Sequence, residues 1–585
     1  MRVVSVQNAF VSGELSPNMY GRTNLESYQK SGAQLRNVYV TPQGGCPRRE
    51  GLQYVDQTTN NAKNRLVSFE FNTEQVYLIS YTPAEMKVYK NDQLVATVKT
   101  GPIANITAKI LDEMNYTQSA DTLILAHEDL QTANISRTSD TVWTAANVAF
   151  TNIPQYNYGA GNEAVFSVTR GWPRSVAFKF GRLWLGGLKS RPQTILASKT
   201  GDFFNLNVGT ALDEDAINVT IDDDRVNAII NMFPGRTLQL FTKGGEFTIQ
   251  AALTDPVTPG KIAEQLKKAT LHGCNRTRPV SVDGSTIFVE GSGQVVRQFT
   301  YNDVEQSYNS PNISLLSSHL IRKPVRMDVR RATEAFPADY VYLVNSDGTM
   351  AVLNILRDEQ LLAWSLFETD GRFEDVCVVG NDVYVTVQRN INGNLVRYIE
   401  KFNNSNLTDA SKRQTVQVYS NGMLGQTISE PTTAWAGFGH LEGEEIKVLG
   451  DRFVLDNEVV TNGGIVSSES VLELEVGLNF KALVETLPAE LIIGGQSKMG
   501  DYKRMVYANL RLLNSRGVIV KQKNGQVYKP VFRQFGESVL DKPVELFTGW
   551  KKVYLGGIDR DSQVIITQED PLEFNLLALS IGLGV

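Results

Sequence analysis

One pattern constrains this chain more than any other: short runs of β-branched and aromatic residues recur along its middle, each beside a turn. The runs are VYLISY at 76–81, TLILA at 122–126, RLWL at 182–185, TLQLF at 237–241, TIFV at 286–289, YVYLV at 340–344 and DVYVTV at 382–387. Turn signals such as Gly181, Pro234-Gly235, Asp283-Gly284 and Gly380-Asn381 precede several of them. Partner strands follow at Met86-Lys87-Val88-Tyr89, Glu246-Phe247-Thr248-Ile249, Met350-Ala351-Val352-Leu353 and Val396-Arg397-Tyr398-Ile399. The runs stand roughly 40 to 60 residues apart, the spacing of four-stranded propeller blades. A series of two-sheet sandwiches would give similar short strands, so the pattern alone leaves that alternative open.

With 585 residues the chain exceeds a single core, and two to four domains are expected. The fold class expected is mainly β, with propeller-like blades and additional β-rich platform and tip domains. The divisions expected are 1–64 as the N-terminal part of a platform, 65–403 as the propeller-like domain, 404–488 as a β-rich tip or insertion, and 489–585 as the C-terminal part of the platform. Helical periodicity is scarce. Thr23 and Glu26 have the spacing of a capping box for a helix over about 23–36, and Ile262 and Leu266 fit a short helix over 261–269.

Chemistry is hard to find in the sequence. The four histidines, His127, His272, His319 and His440, are isolated, with no paired zinc spacing. No nucleophile elbow, phosphate loop or dinucleotide fingerprint occurs, and Gly495-Gln496-Ser497-Lys498-Met499 fails the elbow at its last position. No Asp-box turn marks a sialidase-like propeller. The chain is therefore expected to be no enzyme, with no cofactor and no metal. The three cysteines, Cys46, Cys274 and Cys377, have neither disulfide nor metal-ligand spacing, which fits a reducing compartment. No signal-like run and no membrane segment of about 20 apolar residues is expected.

The net charge of −6 gives no basic footprint for gripping phosphates, whereas an acidic wall would let a nucleic acid slide past. Two acidic clusters, Asp213-Glu214-Asp215 and Asp222-Asp223-Asp224, are candidates for such a wall. The plainer reading is solvated acidic loops, since charge runs usually face water, and an ion site is a lesser alternative because neither cluster has the spacing of a calcium loop. Arg48 and Arg49 beside Gly44-Gly45 are the candidate intersubunit contact. The turn-rich segments around Asn421, Gly422 and Met423 and around Asn462 and Gly463 are candidate gate loops.

The opening Asn8-Ala9-Phe10-Val11-Ser12-Gly13-Glu14-Leu15-Ser16-Pro17 continues through Gly21-Arg22, Leu35-Arg36-Asn37, Pro42-Gln43-Gly44-Gly45 and Arg48-Arg49-Glu50-Gly51-Leu52. Gly171-Trp172-Pro173-Arg174-Ser175, Gly244-Gly245-Glu246-Phe247, His440-Leu441-Glu442-Gly443-Glu444 and Gln568-Glu569-Asp570-Pro571-Leu572 carry the pattern on. Together these segments resemble the tail nozzle proteins (tail tubular protein B family) of short-tailed phages. Glu50 departs from the pattern, standing where a proline would be expected. The resemblance implies a structural virion protein of the viral tail, assembled in the host cytoplasm. It implies a homohexameric ring with an axial channel for viral DNA, mounted below a tail adaptor protein and helping to hold tail fibres. It also implies a platform made from both chain ends, a propeller and a distal tip. The competing expectation is a receptor- or glycan-binding β-propeller tail protein.

Overall fold

Each of the seven apolar runs becomes the second strand of a four-stranded blade in the computed structural model. It describes residues 2–584 apart from 160, 251–255, 335, 357–358, 360, 417–418, 422–425, 429, 494–495, 524 and 534–542. The second strands are Val76–Thr82, Thr122–His127, Arg182–Leu188, Leu238–Thr242, Ser285–Val289, Asp339–Asn345 and Asp382–Ile391. They define blades 1 to 7, and within each blade all neighbouring strands are antiparallel. Alternate residues of one strand serve opposite neighbours. Tyr77, Ile79 and Tyr81 pack toward blade 2, while Leu78 packs toward blade 7. In blade 6, Tyr340, Tyr342 and Val344 face blade 7, and Val341 and Leu343 face blade 5. A strand buried on both faces has to be apolar at every position, which is why these runs do not alternate with polar residues. Apolar layers fill each interval between blades, including the one from blade 7 back to blade 1, so the ring is closed.

Closure uses a strand from far upstream. The fourth strand of blade 7 is Gly51–Gln57, antiparallel to Asn394–Asn403. The propeller thus claims part of the segment expected for the platform, because the outer edge of Asn394–Asn403 needs a partner that its own blade does not supply. Gly51 is required at this seam, since a Cβ there would run into the carbonyls of Thr408 and Asn406.

Blades 6 and 7 continue outward into the rest of the molecule. Leu361–Phe367 meets Gly32–Arg36, which pairs with Ala482–Thr486 and through it with Val564–Gln568. Gly51–Gln57 meets Asp409–Thr415, which pairs with Glu473–Leu478 and then Glu445–Gly450. A third unit is thereby grafted onto blade 7, with a core around Phe438, Leu441, Val448, Leu474 and Val476 that also takes in Ile391, Val396 and Tyr398 of that blade. The platform is completed by a sheet in which Arg2–Gln7 pairs with Asn575–Gly584, followed by Lys503–Ser515 and Phe547–Tyr554. Both ends of the described chain lie in this one sheet.

Both expected helices shrink. Thr23 caps nothing. The helix spans only Glu26–Gln29, and Gly32–Arg36 is a strand. The second helix is limited to Ile262–Gln265, and Leu266–Thr270 is the fourth strand of blade 4, paired with Glu246–Ile249. In each case an open sheet edge outweighs a weak helical preference. No helix among the described residues is long and apolar enough to cross a membrane.

Candidate functional site

Two polar regions stand out from the apolar layers: the propeller axis and the joint between the three units. At the axis side chains lace together the first strands of the blades and the segments that lead into them. Asn115 Nδ2 donates to Asn231 Oδ1 at 2.9 Å, and Ser175 Oγ accepts the Met232 N–H at 2.8 Å. Thr277 Oγ1 donates to the Pro324 carbonyl at 2.7 Å. Asp375 accepts the Leu66 N–H at 2.7 Å and lies 3.3 Å from Arg326. Asp328 accepts the Val378 N–H at 2.7 Å, and burial pushes its carboxyl up to about 6. The short helix Ala108–Glu113 covers one mouth of the axis. Arg326 donates to the carbonyls of Leu111 and Asp112, both at 3.2 Å, Lys63 pairs with Asp112 at 2.6 Å, and Arg276 pairs with Glu113. The cleft beside it holds about 250 Å³. Side chains therefore bridge the axis of the single propeller.

The joint is built on Arg48 and Arg49. Arg49 reaches both carboxylate oxygens of Asp409, at 2.9 and 2.7 Å, donates to Asn37 Oδ1 at 3.0 Å and stacks 3.6 Å above the Phe480 ring. Arg48 donates to the carbonyls of Leu407 at 3.1 Å, Phe480 at 2.9 Å and Leu572 at 3.3 Å, and to that of Asp570. Burial, with the charge of Arg49 second, pulls Arg48 down to about 9. Thr369 Oγ1 donates to Asp409 at 2.6 Å and accepts from Arg389 at 3.0 Å. Arg389 in turn forms a buried bidentate pair with Glu400, both bonds at 2.6 Å. Arg48 and Arg49, expected at a contact between copies, are thus buried and engaged within one chain. Glu50 is explained in the same way: it pairs with Arg330 at 3.0 Å in the core, a partner that proline could not provide. Glu14, also buried, accepts the Leu35 N–H at 2.7 Å, meets His319 at 2.7 Å and pairs with Arg36.

The acidic clusters do not act as units. Asp215 is buried, pairs with Lys199 at 3.0 Å and accepts the Leu212 N–H at 3.0 Å, and the Lys199 contact lowers its pKa. Asp223 binds Lys268 at 2.7 Å, which with Asn227 holds it down at about 2. Asp213, Glu214, Asp222 and Asp224 are exposed. Among the described residues no group of three or more His, Cys, Asp or Glu side chains is placed to hold a metal ion. Arg182 binds the loop from beneath, donating to the carbonyls of Ser198, Asp213 and Asp215 at 2.6–2.7 Å.

Of the expected gate loops, Gly422 and Met423 lie outside the described residues, and Asn421 ends the strand Tyr419–Asn421. Asn462 and Gly463 form a left-handed turn whose N–H groups both donate to Glu442, at 2.8 and 2.6 Å. That turn is fastened to its own unit.

Asp409, Arg389 and Glu400 were missing from the sequence-based candidates. A signal for two of them exists. Arg389 shares the inward parity of Val383, Val385 and Val387, and Glu400 that of Val396, Tyr398 and Phe402. A charge at an inward position of an apolar strand calls for a buried partner.

No family model matches the chain, and no curated protein matches it. Among solved structures it is similar to the Pan2 WD40 domain of Neurospora crassa, with TM-score 0.35 and 9% identity over 61% of this chain and 95% of that one. It is also similar to the RRP9 WD40 repeats, with TM-score 0.36 and 9% identity over 61% and 99%. A third is an exo-beta-1,3-galactanase from Phanerochaete chrysosporium, with TM-score 0.24 and 10% identity over 80% and 95%.

Proposed function

We propose that this chain is a structural subunit of a virus tail, the nozzle through which the genome leaves the particle. In this reading it assembles as a homohexameric ring below an adaptor protein and helps to hold tail fibres. The observation that carries the reading is where the nozzle-like segments fall. Gly13 and Glu14, Arg48 and Arg49, and Asp570 and Leu572 all lie at the seams joining platform, propeller and third unit. A platform drawn from both ends of the chain, a propeller and a grafted third unit are also the parts that the resemblance implies. In this reading the DNA channel lies between copies, which the side chains bridging the propeller axis support. Exposed carboxylates such as Asp213, Glu214, Asp222 and Asp224 on a chain of net charge −6 would repel phosphates rather than hold them. The strongly perturbed groups are shifted chiefly by burial inside the fold, which suits a protein that bears load and performs no reaction.

Particles assembled without this chain should carry the adaptor but fail to retain packaged DNA. Particles that keep their genome and infect normally would remove the proposal. A second reading, a receptor- or glycan-binding propeller, draws on one hairpin. Tyr156 and Tyr158, between blades 2 and 3, are each stacked 3.9 Å from an arginine, Arg191 and Arg170. Saccharide binding by the isolated chain that is lost in Tyr156→Ala would favour that reading.

A further inference from the structure

The platform sheet ends in two strands that have no partner on their outer side among the described residues. Its order is Arg2–Gln7, Asn575–Gly584, Lys503–Ser515, Phe547–Tyr554, and every neighbouring pair is antiparallel. Four strands of alternating direction leave the first and last running in opposite senses. The last strand of one copy therefore lies antiparallel to the first strand of another when the two edges meet. Open edges of this length are templates for pairing unless they are covered.

The side chains along the two edges match. Val4 and Gly582 are opposite each other, as are Gly582 and Tyr507, and Tyr507 and Tyr554, so Val4 and Tyr554 lie on the same face of the sheet. On that face Val4 and Val6 are 48% and 55% exposed, and Trp550 and Tyr554 are 55% and 68% exposed. Isolated exposed apolar residues need no explanation, but two pairs on the two free edges of one sheet do. Beside Arg2–Gln7 runs a groove of about 360 Å³ walled by Val4, Val6, Tyr28, Leu487 and Pro488, with Glu490 as its one charged lining residue. The opposite edge carries Lys551 and Lys552, opposite in charge to Glu490.

We propose that the occupant of this edge is a second copy of the chain. Phe547–Tyr554 of one copy extends the sheet at Arg2–Gln7 of the next, setting Tyr554 opposite Val4 and Trp550 diagonal to Val6. The contact is heterologous, joining different surfaces of the two copies, so repetition yields a closed ring or an open filament. The closed form rests on the nozzle reading above.

The test uses the full chain with one engineered cysteine on each edge, Val4→Cys or Val6→Cys combined with Thr548→Cys or Tyr554→Cys. The native Cys46, Cys274 and Cys377 are buried and stay out of the reaction. After mild oxidation of the assembled protein, at least one combination should give a covalent ladder of multimers on a non-reducing gel. Each single variant should run as monomer. An assembly of confirmed multimeric mass that gives no ladder with any of the four combinations overturns the edge pairing and leaves the nozzle reading standing. A wild-type chain that remains monomeric with its adaptor overturns both.

Discussion

Arg49 and Asp409, 360 positions apart in the chain, meet in a buried bidentate ion pair with N–O distances of 2.9 and 2.7 Å. Asp409 opens the third unit, and Arg49 stands two residues before Gly51, the start of the strand that closes the propeller ring. The pair therefore fixes the angle at which the third unit leaves blade 7.

Removing one partner leaves a buried charge uncompensated. Asp409→Ala should lower stability by roughly 3–5 kcal/mol. Arg49→Met with Asp409→Leu should recover part of that loss, because both charges leave together. Thermal or denaturant unfolding of the two variants checks this, and a loss under about 1 kcal/mol for Asp409→Ala would show that the pair is solvated.

Gly13 has φ +69, and a Cβ there would run into the backbone of Trp364 on blade 6. Gly13→Ala should cost at least about 1–3 kcal/mol from the left-handed backbone alone, with the clash adding to it. Limited proteolysis should then cut first between platform and propeller. Unchanged stability would mean that this seam is not tightly packed.

Burial lowers His127 and His440 to about 4. An unfolded chain takes up these protons near pH 6.5, whereas the folded chain resists until about 4. Stability from these two groups is complete above pH 6.5 and falls as the pH drops toward 4. Asp328 has the opposite sign. Its folded value near 6 lies above its ordinary 3.8, so its contribution grows as pH falls through that window. His127→Asn, whose Oδ1 can still accept the Asp129 N–H, should flatten the decline between pH 6.5 and 4 in a melting-temperature series.

Burial pushes the thiols of Cys46, Cys274 and Cys377 upward. In the native protein none should react with an alkylating reagent on the timescale that modifies free cysteine. All three should react after denaturation, which mass spectrometry would resolve. Rapid native labelling of Cys274 would show that the layer between blades 4 and 5 opens readily.

The propeller was legible in the sequence because each blade's second strand is buried against two neighbours, and double burial writes itself as an unbroken apolar run. What could not be read was every feature set by a distant partner. Gly51–Gln57 carries no mark that assigns it to blade 7, since its place depends on Asn394–Asn403. Thr23 and Glu26 have the spacing of a helix start, yet the strand Gly32–Arg36 is fixed by Ala482–Thr486, hundreds of residues away. The Arg48-Arg49 pair was conspicuous, but its role was not, because its partners Asp409, Phe480 and Asp570 lie far along the chain. Arg389 and Glu400 were readable in principle, as charges at inward positions of apolar strands.

The most direct test of the account is the mass of the purified protein in solution, measured by light scattering with and without its neighbouring adaptor protein. The account predicts a ring of about six subunits, alone or on the adaptor. A chain that stays monomeric at high concentration and ignores the adaptor would contradict it.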